Sequence, residues 1–291
     1  MSLEDILSVI GQDINNIETN IIHDFDWNES SVDCVYIIFF TGRCGSTWLV
    51  HLLADSGLCG RPEELFNETV MPRFNMPIKA TNFREYFAGV VSSTKSGGRF
   101  GFKIDGARFL KLLPLVNFRD VFPSSKTHFF WMTRRDLVGQ AFSYSMAKAT
   151  GRWHDFVARP VETSCEKVDL SDSQMWGEML SIVSNENKMR KFFAEQNIQP
   201  VCLDYEQMMS DRVFVIIKIM NELGCTETEI NNYVTKMEDK TTKITSDNKY
   251  DTMISFYFKY KKIIDYIDTN RFAIDTNEIK TALKLSYNIN I

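Results

Sequence analysis

At 291 residues, 44% of them hydrophobic and 24% charged, the sequence has the composition of an ordinary globular protein with material for a sizeable core. A formal net charge of −5 argues against a general nucleic-acid surface, so any anion site must be basic locally. The apolar runs VYIIFF and FVIIKIM are too short to span a bilayer, and the acidic start MSLEDILSVIGQDINNIETN lacks the apolar core of a signal peptide. A cytoplasmic protein without a transmembrane segment is expected. Six scattered cysteines, Cys34, Cys44, Cys59, Cys165, Cys202 and Cys225, show neither a CxxC pair nor zinc-ligand spacing and read as reduced thiols.

Along the chain, CVYIIFF (Cys34 to Phe40) is a continuous apolar run of buried-strand type. A turn over Thr41 to Gly45 follows. Leu49, Leu52 and Leu53 then recur at helical spacing, with Gly57 and Gly60 ending that helix. Asn67 to Gly98 is polar and carries several of the prolines and glycines, which predicts a weakly structured segment that is mobile or faces substrate. RFGFKI (Arg99 to Ile104) is a second strand, and ARFLKLLPLVNF a helix interrupted or kinked at Pro114. THFFWMT (Thr127 to Thr133) is a third strand, followed by a helix from about Asp136, its N-cap, to Thr150. Arg159 to Asp172 reads as loop and Asp172 to Gln196 as a long helix. IQPVCLDY is a fourth strand, Glu206 to Leu223 a helix closed by Gly224, and KMEDKTTKITSDNKYD a basic loop. Strands alternating with helices predict an α/β fold with a central, mainly parallel sheet flanked by helices. One domain over 1–291 is the simplest organisation, with an N-terminal extension of about 1–32 and C-terminal loop and helices over about 237–291.

Two strand–turn–helix units carry the features of anion sites. A helix N-terminus offers unpaired N–H groups and a positive dipole end. At the first, Gly45 allows close backbone approach, Ser46 and Thr47 add hydroxyls, and Arg43 adds a charged fork. The alternative is a tight turn with Ser or Thr as an ordinary cap. No lysine sits where a nucleoside-triphosphate loop requires one. At the second, WMTRRDLVGQAFSYSMAKATGRW, Arg134 and Arg135 precede the helix and Ser143 lies eight residues beyond Arg135, near enough to share an anion with it. The alternative is a surface arginine pair and an ordinary helical serine. Together the units suit a ligand with two separated phosphates.

GRCGSTWL resembles the 5′-phosphosulfate loop of sulfotransferases, and RRDLVGQAFS their 3′-phosphate motif. With LADSGLCGRPEELF, AKATGRW and LDYEQMMSD, the region from about Cys34 to Asp211 is similar to the bacterial trehalose 2-sulfotransferase-like family and, more distantly, to nodulation-factor sulfotransferases. The resemblance implies a P-loop-like three-layer fold. It also implies 3′-phosphoadenosine 5′-phosphosulfate as co-substrate, a carbohydrate or glycolipid hydroxyl as acceptor, and no metal. It permits a homodimer. Arg43, Gly45, Ser46 and Thr47 would hold the 5′-phosphosulfate, with Arg43 also stabilising the leaving group. Arg135 and Ser143 would hold the 3′-phosphate, with Arg134 as the alternative arginine.

In the same comparison GRPEELF places a general base at Glu64, with Glu63 its runner-up; on the residues alone Pro62 and both glutamates would instead open a helix. Arg61 and Glu63 are expected at the acceptor; Arg61 stands where the trehalose enzyme has an acidic sugar contact, which sets trehalose itself aside. Cys44 stands where a serine is usual. Lys103, His154, Lys240 and Lys243 remain open as further contacts, and Trp131 and Trp153 read as packing or stacking residues. A nucleotide kinase or triphosphatase, or a non-catalytic nucleotide-binding protein, are the competing readings.

Overall fold

The computed structural model describes residues 22–151, 153, 170–237 and 247–291. His154, Lys240 and Lys243 fall outside them. The described chain groups into two compact units: one from the residues up to Phe40, Gly45–Thr133 and Asn197–Thr241, the other from Thr41–Cys44, Arg134–Gln196 and Thr242–Ile291.

The first unit is α/β. Strands β1 (Cys34–Phe40), β2 (Arg99–Asp105), β3 (Thr127–Thr133) and β4 (Val201–Asp204) form a sheet in the order β2-β1-β3-β4, and every pairing is parallel. The register sets Phe40 beside Asp105 and Met132 at the carboxyl ends of the strands, where parallel sheets bind ligands. All of β1 beyond Cys34 is buried, as its unbroken apolar run requires. Tyr36, Phe39, Phe100, Phe102, Phe109, Phe122 and Phe130 fill the core, and Trp131 is buried with them. Buried polar tips find partners: Trp27 Nε1 donates to the Val121 carbonyl (2.7 Å) and the Tyr36 hydroxyl to that of Cys59 (2.6 Å).

The helices of this unit are α1 (Ser46–Asp55), α2 (Met71–Ile78), α3 (Phe83–Thr94), α4 (Gly106–Leu112) and α5 (Phe118–Val121). The second unit supplies α6 (Leu137–Thr150) and α7 (Asp172–Glu195). The first unit resumes with α8 (Tyr205–Ser210), α9 (Arg212–Glu222) and α10 (Glu227–Val234). The second unit closes the chain with α11 (Asp247–Asn270) and α12 (Thr276–Tyr287) and packs around Leu137, Phe142, Trp176, Met179, Val183, Tyr260, Ile264 and Leu283.

Several expectations are corrected. The segment from Asn67 to Gly98 is not weakly structured but holds α2 and α3. In α3, Phe83, Phe87, Val90, Val91 and Thr94 are buried at helical spacing, and the Asn82 side chain caps the helix by accepting from Glu85 N–H. The helix expected from Glu206 to Leu223 is two helices, because Asp211 leaves helical geometry and caps α9 through Phe214 N–H. The interruption expected at Pro114, by contrast, is present: α4 is followed by a 3-10 turn at Leu113–Leu115, after which Val116 is extended. Residues 61–64 form no helix, so Glu63 and Glu64 are not a helix's first turn.

Candidate active site

Helix α1 begins at the carboxyl end of β1 with Gly45 as its N-cap, left-handed at φ 87°, and no side chain caps it. By contrast α3, α6, α7, α9 and α10 each carry a side-chain cap. The first-turn N–H groups of α1 are thus left to bind something other than a side chain of their own cap. Ser46 is buried and Thr47 half-buried. Glycine is required at 45 twice over: a Cβ there would stand 2.6 Å from the Tyr205 ring, in a conformation that β-carbons disfavour. Gly45→Ala is expected to cost at least about 1–2 kcal/mol from the backbone alone. That lowers the melting temperature by at least about 2–4 °C in a chain of this size. An unshifted melt would show that the turn relaxes freely.

The residue that links this loop to the glutamates is Lys103. It lies in β2, is only 4% exposed, and donates from Nζ to Thr47 Oγ1 at 2.8 Å. It also pairs with Glu64 Oε1 at 3.0 Å and stands over the Phe40 ring at 5.0 Å. The second oxygen of Glu64 accepts from Asn67 Nδ2 at 2.6 Å. Burial by itself would raise the Glu64 carboxyl; Lys103, Asn67 and Arg108 more than offset this and hold it below the usual carboxylate range. Its neighbour Asp105 is shifted the other way: burial pushes it up against the pull of Arg108, and Glu64 adds to the rise. Asp105 accepts from Ala107 N–H at 2.9 Å, and Arg108 grips Glu68 with two hydrogen bonds of 2.8 and 3.3 Å. Two neighbouring carboxyls shifted in opposite directions are an arrangement in which acid and base roles can be separated.

The other residues expected at the acceptor turn to the protein itself. Arg61 is exposed and donates to the Ser93 carbonyl at 2.9 Å, and Glu63 pairs with Arg73.

In the second unit one face of α6 grips the head of the first loop. Gln140 Nε2 donates to Thr41 Oγ1 and to the Gly42 carbonyl, both at 2.9 Å. Tyr144 packs on Gly42, where a Cβ would come within 2.1 Å of its ring. Between them Ser143 Oγ accepts from Arg43 Nε at 3.0 Å, and Arg43 Nη1 also donates to the Trp153 carbonyl. Positions 140, 143 and 144 share a helix face by their spacing. Arg43 and Ser143, assigned by sequence to separate anion motifs, are therefore hydrogen-bonded to each other, and Arg43 holds a left-handed φ of 67°. Trp153 stands edge-to-face on Tyr144 at 5.6 Å. Arg134 pairs with Asp136 at 2.7 Å, and Asp136 in turn caps α6 through Gly139 N–H at 2.8 Å. Arg135 is exposed. Cys44 is buried.

A family model described as Stf0 sulphotransferase matches residues 35–101 and 112–252. The chain belongs to the Stf0 sulphotransferase family. The match covers well over half of the sequence and contains the residues of the clusters above except Lys103, Asp105, Ala107 and Arg108. The family establishes a sulfuryl-transferring enzyme in general terms. Among solved structures, the chain is similar to the sulfotransferase domain from the Synechococcus PCC 7002 olefin synthase, with 13% identity, 75% of this chain and 82% of that chain covered, and a TM-score of 0.39. A superposition that loose adds no weight to the family assignment. No curated protein gives a significant match. Among the described residues, no helix is long and apolar enough to cross a membrane, and no group of three or more His, Cys, Asp or Glu is placed to hold a metal.

Two residues of the clusters, Gln140 and Asp105, were not singled out from the sequence, and Lys103 was left open as a further contact. Gln140 sits three residues before Ser143, so helical spacing alone would have placed it on the same face. Lys103 and Asp105 end a strand, and only the parallel register brings that end beside β1.

Proposed function

We propose that the protein transfers the sulfuryl group of 3′-phosphoadenosine 5′-phosphosulfate to a hydroxyl of a carbohydrate or glycolipid. The observation that carries the reading is the chain Thr47–Lys103–Glu64, which ties an ionised carboxylate to the loop at the uncapped start of α1 through one buried ammonium. Gly45, Ser46 and Thr47 hold the 5′-phosphosulfate with the N–H groups of α1, and Lys103 adds the ammonium that the loop sequence lacks. Arg43 serves the same donor as its leaving-group charge grows. Arg135, exposed just before α6, binds the 3′-phosphate with Ser143, with Arg134 as the alternative arginine.

Glu64 accepts the proton of the acceptor hydroxyl as its oxygen forms the new O–S bond and the bond to the phosphate oxygen breaks, releasing adenosine 3′,5′-bisphosphate. Arg61 and Glu63, exposed and half-buried beside Glu64, border the acceptor and set its identity.

The test is a thermal-shift comparison followed by transfer of labelled sulfate into sugar and lipid extracts. Adenosine 3′,5′-bisphosphate should raise the melting temperature, since a ligand that binds only the folded state stabilises it. Greater stabilisation by ATP with magnesium would favour a kinase instead. Within the same assay, Arg135→Ala and Ser143→Ala should each weaken the bisphosphate by about 1.5–3 kcal/mol, the scale of a charge-assisted contact, and spare adenosine 5′-monophosphate. Equal losses for both nucleotides would remove these residues from the 3′-phosphate.

A further inference from the structure

Beneath the Arg134–Arg135 turn lies an ion pair that the donor-binding roles do not use. Arg271, the residue after α11, is 7% exposed, and Glu186, in the middle of α7, is fully buried. They form two parallel hydrogen bonds, Nε to Oε2 at 2.7 Å and Nη2 to Oε1 at 2.8 Å. The remaining guanidinium nitrogen, Nη1, donates to the backbone carbonyl of Arg135 at 3.2 Å. A buried ion pair by itself is weak evidence of stabilisation, because an apolar pair of similar volume often packs as well. What an apolar pair cannot do is supply the third donor. The turn is thereby held on both sides of Arg135, by the Arg134–Asp136 pair in front and by Arg271 on its carbonyl behind.

We infer that Arg271, oriented by Glu186, is a positioning residue that fixes the backbone of the Arg134–Arg135 turn and so sets affinity for the 3′-phosphate of the nucleotide. The inference rests on the donor reading above. Its mechanism is geometric. The forked Glu186 contact fixes the plane of the guanidinium, the third donor fixes the Arg135 carbonyl, and the carbonyl fixes the direction in which Arg135 leaves the turn. Loss of the fork lets the turn rotate, and a contact aimed at an anion weakens steeply with small displacement.

The experiment uses the full chain. Arg271→Lys keeps the charge opposite Glu186 but cannot make the fork and the third bond together. Its affinity for adenosine 3′,5′-bisphosphate, measured by calorimetry, should fall about tenfold, the effect of losing one hydrogen bond to a charged group. Affinity for adenosine 5′-monophosphate should stay within about twofold. Amide hydrogen exchange over residues 134–140 should quicken while the middle of α6 is unchanged. Because a lone buried charge can prevent folding, the double variant Arg271→Met with Glu186→Leu, which leaves none, should show the same loss of selectivity in a folded protein. Parallel losses for both nucleotides, or unchanged selectivity in the double variant, would overturn the inference. Should the wild-type protein bind the two nucleotides alike, the donor reading itself fails. The positioning role is then decided by exchange alone, and unaltered exchange over 134–140 in Arg271→Lys sinks it.

Discussion

Glu64→Gln is expected to lower turnover by about 10²-fold or more, the usual scale for a positioned base. The amide keeps the size of the side chain and can still accept from Asn67 or Lys103, so the fold should survive. What disappears is the ability to take a proton. Nucleotide affinity should not weaken, because every group assigned to the phosphates, Lys103 included, is retained. Glu63→Gln is the control. Its carboxylate pairs with the exposed Arg73 at the surface, so its loss should cost little stability, and any kinetic effect should fall on KM for the acceptor and not on turnover. The two glutamates are separated by environment, not by helical angle, because residues 61–64 are not helical. One is buried against a lysine and the other is paired in solvent. A large turnover loss at Glu63 instead would move the base by one residue, and normal turnover in Glu64→Gln would mark the Lys103 pair as structural.

The strands were readable because a strand buried on both faces leaves an unbroken apolar run. Cys34–Phe40 is such a run, Thr127–Thr133 carries a shorter one at Phe129 to Met132, and both strands have the expected bounds. Helix α6 and its Asp136 cap were readable because capping chemistry is local. Helix α3 was obscured by its setting. Its buried positions 83, 87, 90, 91 and 94 keep helical spacing, but the prolines upstream and the SGG turn downstream make the whole region look like loop. The break at Asp211 was hidden because one polar residue inside a helical pattern is equally an exposed position or a cap. The site was readable only as motifs. That Arg43 reaches Ser143, a hundred residues away, depends on the fold, and so does the path from Lys103 to both Thr47 and Glu64. No local pattern encodes either.

Lys103→Met should have the largest effect of any single change, and it separates the two parts that lysine plays. Methionine fills much of the same volume, so the loss is electrostatic. Glu64 would stay buried without its ammonium partner, and breaking a buried pair from one side costs about 3–5 kcal/mol at neutral pH. In the wild-type protein the Glu64 carboxyl is depressed, so its contribution to stability is present above the unfolded-state pKa of about 4.3 and is lost as pH falls through the lower folded value. In Lys103→Met the largest remaining influence is burial, which raises the carboxyl above its unfolded value. The sign then reverses. The variant carries a penalty at pH 7 that is relieved as pH falls through the raised folded value, because a neutral carboxyl no longer has to be buried as an anion. Melting curves from pH 7 to pH 4 should therefore converge for the two proteins. In kcat/KM the acid limb should move to higher pH in the variant, because the base must be ionised to act. Turnover at its plateau should also fall, since the loop loses the charge that Lys103 places on Thr47. A stability deficit that stays flat from pH 7 to pH 4, with an unmoved acid limb, would show that Lys103 does not control the ionisation of Glu64.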